Sequence, residues 1–178
     1  MSRKVLAGLG AVGLMLGAAA LVAFGAGRVA LKAGDVAPVF EATDQHGAVV
    51  RLEQFRGKSD VVLYFYPKDG TPGCTAQACS LRDGYKKIEA AGAVVVGVSA
   101  DTAESHEAFA RKHNLPFSIL ADPKREIIRK YGVGMPVIGI SKRVTFVIGR
   151  DGVIREVIAE ARTGDHDRQV LEVLGRGR

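Results

Sequence analysis

Residues 61–99 read VVLYFYPKDGTPGCTAQACSLRDGYKKIEAAGAVVVGVS, and their periodicity decides the fold. The run VVLYFY at 61–66 is continuously β-branched and aromatic, as a strand buried on both faces requires, and AVVVGVS at 93–99 is a second such run. Between them Cys74, Ala78, Leu81, Tyr85 and Ile88 recur at i, i+4, i+7, i+11 and i+14, which is one face of a helix. A helix between two buried strands predicts a βαβ unit with a parallel pair.

The flanks extend this pattern. VFEATD and VVRL enclose Gln45, His46 and Gly47 and read as a short hairpin. Asp101 and Glu104 form a capping-box pattern that opens a helix reaching about His113. FSILA at 117–121 reads as an edge strand, and Asp122 with Pro123 supplies an N-cap and first-turn proline for a helix over 124–131. RVTFVI and VIREVIA flank Gly149, Arg150, Asp151 and Gly152, a hairpin with Asp-Gly turn chemistry. A last amphipathic helix covers 164–174 with Val170, Leu171 and Leu174 inward. Such an order predicts an α/β, thioredoxin-like fold: a central mixed sheet flanked by helices, with an N-terminal β-hairpin extension. Fold alone does not give function.

Composition narrows the classes. Of 25 basic residues, Arg3, Lys4, Arg28 and Lys32 fall in residues 1–34, which hold no acid; beyond them 21 basic residues face 19 acidic ones. That mixed surface is no nucleic-acid footprint. The uncharged run 5–27 is longer than a secretory core usually is and could span a bilayer of roughly 30 Å. It is also rich in Gly and Ala, whose transfer gain is small. Residues 1–33 are therefore read as a signal anchor or a cleaved signal peptide, and 34–178 as the folded domain. The basic flank favours a domain outside the cytoplasm, held at the bacterial inner membrane or secreted if cleaved.

The chemistry concentrates at Cys74 and Cys79, the only cysteines. Thr71 before Pro72 predicts an N-cap, which puts Pro72, Gly73 and Cys74 in the first helical turn. Free amides and the positive end of the helix dipole there favour an anion, which for a cysteine is the thiolate. Gly73 leaves the amides open to a small ligand. Stripe membership alone would equally suit a small buried hydrophobe. Cys79 lies about 140° around the helix and about 7.5 Å along it. The Cα separation of roughly 8.7 Å exceeds the ~7 Å reach of a disulfide, so an intact helix cannot bridge the pair. A zinc site is not indicated, since none of His46, His106, His113 and His166 is near this C-x4-C in sequence. Lys68 and Asp69 read as solvent-exposed charges of the loop, Tyr64 and Phe65 as core, and His166 as a helix-start residue. The Arg82–Asp83 pair is a candidate support for Arg143 or the loop.

The stretch YFYPKDGTPGCTAQACSLRD, followed by KRVTFVIGRDG, resembles the peroxiredoxins of the bacterioferritin-comigratory, or peroxiredoxin Q, group. The resemblance runs from about Gly34 to Leu174. It implies a thiol-specific peroxidase that needs no cofactor and reduces hydrogen peroxide and organic hydroperoxides. Cys74 would be the peroxidatic thiolate and Cys79 the resolving thiol, joined as a redox disulfide once the helix start unwinds. Thr71 would bond the peroxide, Pro67 would shield the thiolate, Arg143 would polarise the O–O bond, and the amides of Gly73 and Cys74 would complete the pocket. The resemblance further implies a thioredoxin-like reductant and a monomer or weak dimer. Gln77 stands where such proteins often have glutamate. Two competing readings are a thiol–disulfide exchange protein, which usually has C-x-x-C at the helix start, and a non-catalytic membrane-tethered domain.

Overall fold

The computed structural model of the chain describes residues 31–135 and 137–176. A short hairpin, β1 (Glu41–Thr43) and β2 (Val49–Arg51), leads into β3 (Asp60–Phe65). Helices α1 (Pro72–Asp83) and α2 (Tyr85–Ala90) cross to β4 (Ala93–Ser99), and α3 (Ala103–His113) crosses to β5 (Ser118–Ala121). Then come α4 (Glu126–Lys130), the two-residue strands β6 (Gly134–Met135) and β7 (Ile140–Ser141), and β8 (Val144–Ile148). β9 (Ile154–Ile158) and α5 (His166–Gly175) follow.

The central sheet has the order β5-β4-β3-β8-β9. β3, β4 and β5 are parallel, β8 runs antiparallel to β3, and β9 runs antiparallel to β8. The βαβ unit, both hairpins and the edge position of β5 are as the sequence pattern predicts. Side-chain alternation sorts β3 onto two cores. Val61, Leu63 and Phe65 pack with Phe40, Leu52, α4 and Tyr131 on one face. Val62, Tyr64 and Tyr66 pack with Cys74, Leu81, Phe109 and α5 on the other. Tyr64 and Phe65 are core, as expected.

Three helix boundaries differ from expectation. The helix after β3 breaks at Gly84, a position where α5 comes so close that a Cβ would meet Asp167 at 2.4 Å. Asp101 does not cap α3: Thr102 does, accepting from the Ser105 amide at 3.3 Å, and Asp101 is turned toward the loop after β3 instead. α4 starts at Glu126 rather than at 124, although Asp122 still accepts from the Glu126 and Ile128 amides at 2.7 and 2.9 Å. In α5, Val173 is buried beside Val170 and Leu174, and Leu171 is only partly covered.

The membrane span expected through residues 5–27 lies outside the described residues. Among the described residues no helix is long and apolar enough to cross a membrane.

Candidate active site

Cys74 sits where β3 delivers the chain to the start of α1. Thr71 is extended at the N-cap, Pro72 occupies the first helical position, and Cys74 follows in the first turn. The first backbone bond of the turn runs from the Thr75 amide to the Thr71 carbonyl at 2.9 Å. The Gly73 and Cys74 amides precede it and have no intrahelical acceptor. The Thr71 hydroxyl does not cap the helix; it donates to the Lys68 carbonyl at 3.1 Å.

The Cys74 side chain is sealed, at 1% exposure. Arg143, one residue before β8, reaches it across the sheet: Nη2 donates to Cys74 Sγ at 3.4 Å and Nη1 to Gln77 Oε1 at 2.6 Å. Gln77 is fully buried, and its Nε2 has no hydrogen-bond partner among the described residues. Gly73 lets the guanidinium sit close, since a Cβ there would lie 3.1 Å from Arg143 Nη2 and push it back by a few tenths of an ångström. Pro67 follows Tyr66 at the loop start and is half-buried. The structure thus groups Cys74, Gly73 and Arg143, with Thr71 and Pro67 on the adjoining loop. Cys79 faces elsewhere, half-buried against the end of α3, with His113 Nδ1 at 3.9 Å from its Sγ. Both cysteines are free thiols.

Comparison with known proteins gives the family. The sequence profile of the AhpC/TSA family matches residues 33–157. Putative peroxiredoxin bcp of Coxiella burnetii is 39% identical over 155 residues, spanning 83% of this chain and 99% of that protein. The chain belongs to the AhpC/TSA family, among its peroxiredoxins. Chloroplastic peroxiredoxin Q of Sedum lineare is 47% identical over 125 residues, covering 70% of this chain and 67% of its own length. The crystal structure of peroxidoxin BcpB from Mycobacterium tuberculosis superposes with a TM-score of 0.78 at 34% identity, covering 83% of this chain and 99% of that one.

These relatives correct the expected location. Their names give a chloroplast protein and a bacterial peroxiredoxin, none is named as membrane-anchored, and the family match begins only at residue 33. A membrane-anchored domain outside the cytoplasm is therefore not supported. The physical weakness lay in reading a Gly- and Ala-rich run as a span, because such residues gain little on transfer to hydrocarbon.

The peroxiredoxin loop also has an anchor that the sequence reading missed. Asp69, taken for a solvent-exposed charge, has a side chain only 8% exposed and paired with fully buried His106, Oδ2 to Nδ1, at 2.8 Å. Tyr66 and Ser105 hydroxyls also donate to it, each at 2.7 Å. His106 Nε2 points at the Leu120 carbonyl at 3.2 Å. Both ring nitrogens thus face acceptors, the Asp69 carboxylate on one side and the Leu120 carbonyl on the other. Burial works against the Asp69 charge, but His106 and the two hydroxyls outweigh it and hold the carboxyl below its ordinary range. The Asp69 amide in turn donates to Asp101 at 2.9 Å. The only sequence signal was three polar residues, Asp69, Asp101 and His106, near strand and helix ends. Arg82 and Asp83 bond each other at 2.8 Å, and Arg82 turns to the end of α3, not to Arg143.

Proposed function

We propose that this protein is a thiol-specific peroxidase whose folded domain spans 34–178 and whose peroxidatic residue is Cys74. The observation that carries the reading is the Arg143 guanidinium 3.4 Å from a sealed Cys74 sulfur in the first turn of a helix. A thiolate there is supported by the guanidinium and by the Gly73 and Cys74 amides, and the same donors can stabilise an oxygen leaving with negative charge. The Cys74 thiolate attacks one peroxide oxygen. The O–O bond breaks, Cys74 becomes a sulfenic acid, and the other oxygen departs as hydroxide or alkoxide and takes a proton from solvent. Thr71 holds the peroxide, Pro67 keeps water from the thiolate, and Arg143 polarises the bond that breaks. The substrates are hydrogen peroxide and organic hydroperoxides.

Cys79 then condenses with the sulfenic acid to give an intramolecular disulfide and water. That step requires the start of α1 to open, since an intact helix holds the two Cα atoms roughly 8.7 Å apart. A thioredoxin-like dithiol restores both thiols. The test is single-turnover mixing of the reduced protein with hydrogen peroxide. Cys74→Ser should lose the reaction, and a Cys74→Ser protein that consumes peroxide as fast as the wild type would sink the assignment.

A further inference from the structure

The resolving step needs Cys79 as a thiolate, because an ordinary thiol is mostly protonated at neutral pH. The helix start cannot supply this. Cys79 lies in the second turn of α1, where backbone amides are already engaged in i→i−4 bonds. We infer that His113 is the base for Cys79: it accepts the thiol proton and so is a further catalytic residue of the resolving half-reaction. The inference rests on the peroxidase reading above.

His113 is the last residue of α3, and its Nδ1 lies 3.9 Å from Cys79 Sγ, within reach of an S–H···N contact. Two contacts fix it there. Arg82 Nη1 donates to the His113 carbonyl at 2.8 Å, tying the end of α3 to the helix that carries Cys79. The ring of Phe109, one turn earlier on α3, meets the imidazole edge-to-face at 5.0 Å. The charged groups facing the pair are Arg82 from α1, with Asp83 bonded to its Nε at 2.8 Å, and Lys112 on α3 itself. Burial, and then the Lys112 and Arg82 charges, hold the imidazole below its ordinary pKa. The ring is neutral at neutral pH, with a lone pair on Nδ1 to offer when its proton is on Nε2.

The step balances without an outside oxidant. The Cys79 proton passes to Nδ1 as the opened helix start brings Cys74 to the sulfur, since the ring is neutral until then. After the helix start opens, the thiolate electron pair forms the S–S bond as the Cys74 S–O bond breaks. The oxygen leaves as hydroxide, and the proton held on the imidazolium neutralises it through solvent to give water.

The test uses His113→Gln in the full chain, with disulfide formation after a peroxide pulse followed by rapid mixing from pH 6 to 9. At pH 7 the variant should form its disulfide about tenfold more slowly or worse, with the sulfenic acid accumulating. The two proteins should converge toward pH 9, where hydroxide from solvent takes the thiol proton without the imidazole. Equal rates at pH 7 overturn the inference. So does slowing by one factor at every pH, which is what a merely structural role predicts. A second arm needs no peroxide: in a Cys74→Ser background, iodoacetamide should alkylate Cys79 about tenfold more slowly at pH 7 once His113 is Gln. Unchanged alkylation overturns the inference by itself. Failure of the wild type to form any sulfenic acid would instead count against the peroxidase reading and leave this second arm to decide His113.

Discussion

Cys74 is 1% exposed, with Arg143 Nη2 at 3.4 Å and Gln77 buried one turn along, whereas Cys79, five residues on, is half-buried with His113 Nδ1 at 3.9 Å. The difference follows from their places on one helix. The first turn has amides to spare and the positive end of the dipole, so Cys74 needs only one added cation. The second turn has neither, so any activation of Cys79 must come from another element, and α3 supplies it. The two sites also oppose each other mechanically. In the proposed cycle the intact helix start holds the donors around Cys74, and its opening is what lets Cys74 and Cys79 meet.

The sharpest way to break this contrast is Cys79→Ser. Turnover with a thioredoxin-like reductant should stop at a sulfenic acid on Cys74, while the first equivalent of peroxide is still consumed. Mass spectrometry after one equivalent reads both. In the wild type, hydrogen-exchange protection across 72–84 should fall toward that of an unfolded segment on oxidation. Equal protection in both redox states would show that no opening occurs.

Arg143→Ala comes next and tests the Cys74 side alone. Loss of a preorganised donor at the breaking bond should lower the rate constant with hydrogen peroxide by about 10²–10³-fold. Disulfide formation from an already oxidised Cys74 should change far less. If both steps slow equally, Arg143 acts on the fold and not on the reacting sulfur.

Asp69→Asn tests whether the loop beneath Cys74 is anchored as the structure has it. The substitution removes the buried carboxylate that His106 Nδ1, Tyr66 and Ser105 all contact and should cost about 2 kcal/mol of stability. Urea denaturation at pH 7 measures it, and a loss under about 0.5 kcal/mol would mean that the pair is not formed.

How much of this was legible in the sequence depends on range. The βαβ unit was readable because VVLYFY and AVVVGVS are long apolar runs and the residues between them keep a helical period. Cys74 at a helix start was readable because Thr71 and Pro72 fix the local backbone. The Thr71 hydroxyl was misread as a cap, since its bond to the Lys68 carbonyl depends on how the loop folds back. Asp69, His106 and His113 were not legible as site residues, because their partners lie 31 to 37 positions away and meet only when α3 docks beside α1. A charge in a Pro/Gly-rich loop looks solvated until the buried histidine opposite it is known. Gly84 carried no signal either, because the approach of Asp167 that demands it comes from the far end of the chain.

The smallest predicted effect compares the histidines on the two sides. His166, fully buried at the start of α5, shares two hydrogen bonds: Thr145 Oγ1 to Nε2 at 2.9 Å and Nδ1 to Gln169 Oε1 at 3.0 Å. Gln169 Oε1 can only accept, so Nδ1 carries the proton and Thr145 donates to Nε2, which fixes a neutral ring. Burial dominates in pushing its pKa below the ordinary value, the Gln169 bond opposes this, and the Arg143 charge adds to it. Below about pH 6.5 the unfolded chain therefore binds a proton that the folded chain refuses. Stability falls as pH drops through that window, by at most about 1.4 kcal/mol per pH unit for one proton. The fall ends once pH passes below the depressed folded pKa. Asp69 titrates below the ordinary carboxylate range and adds nothing between pH 7 and 5. His113 shifts in the same direction, but it is half-buried and faces solvent more, so its share is smaller. Chemical denaturation at pH 7 and pH 5.5 should show the wild type losing stability and His166→Gln losing distinctly less. An equal loss in both would move the pH sensitivity from the Cys74 side, behind Arg143, to the half-exposed imidazole beside Cys79.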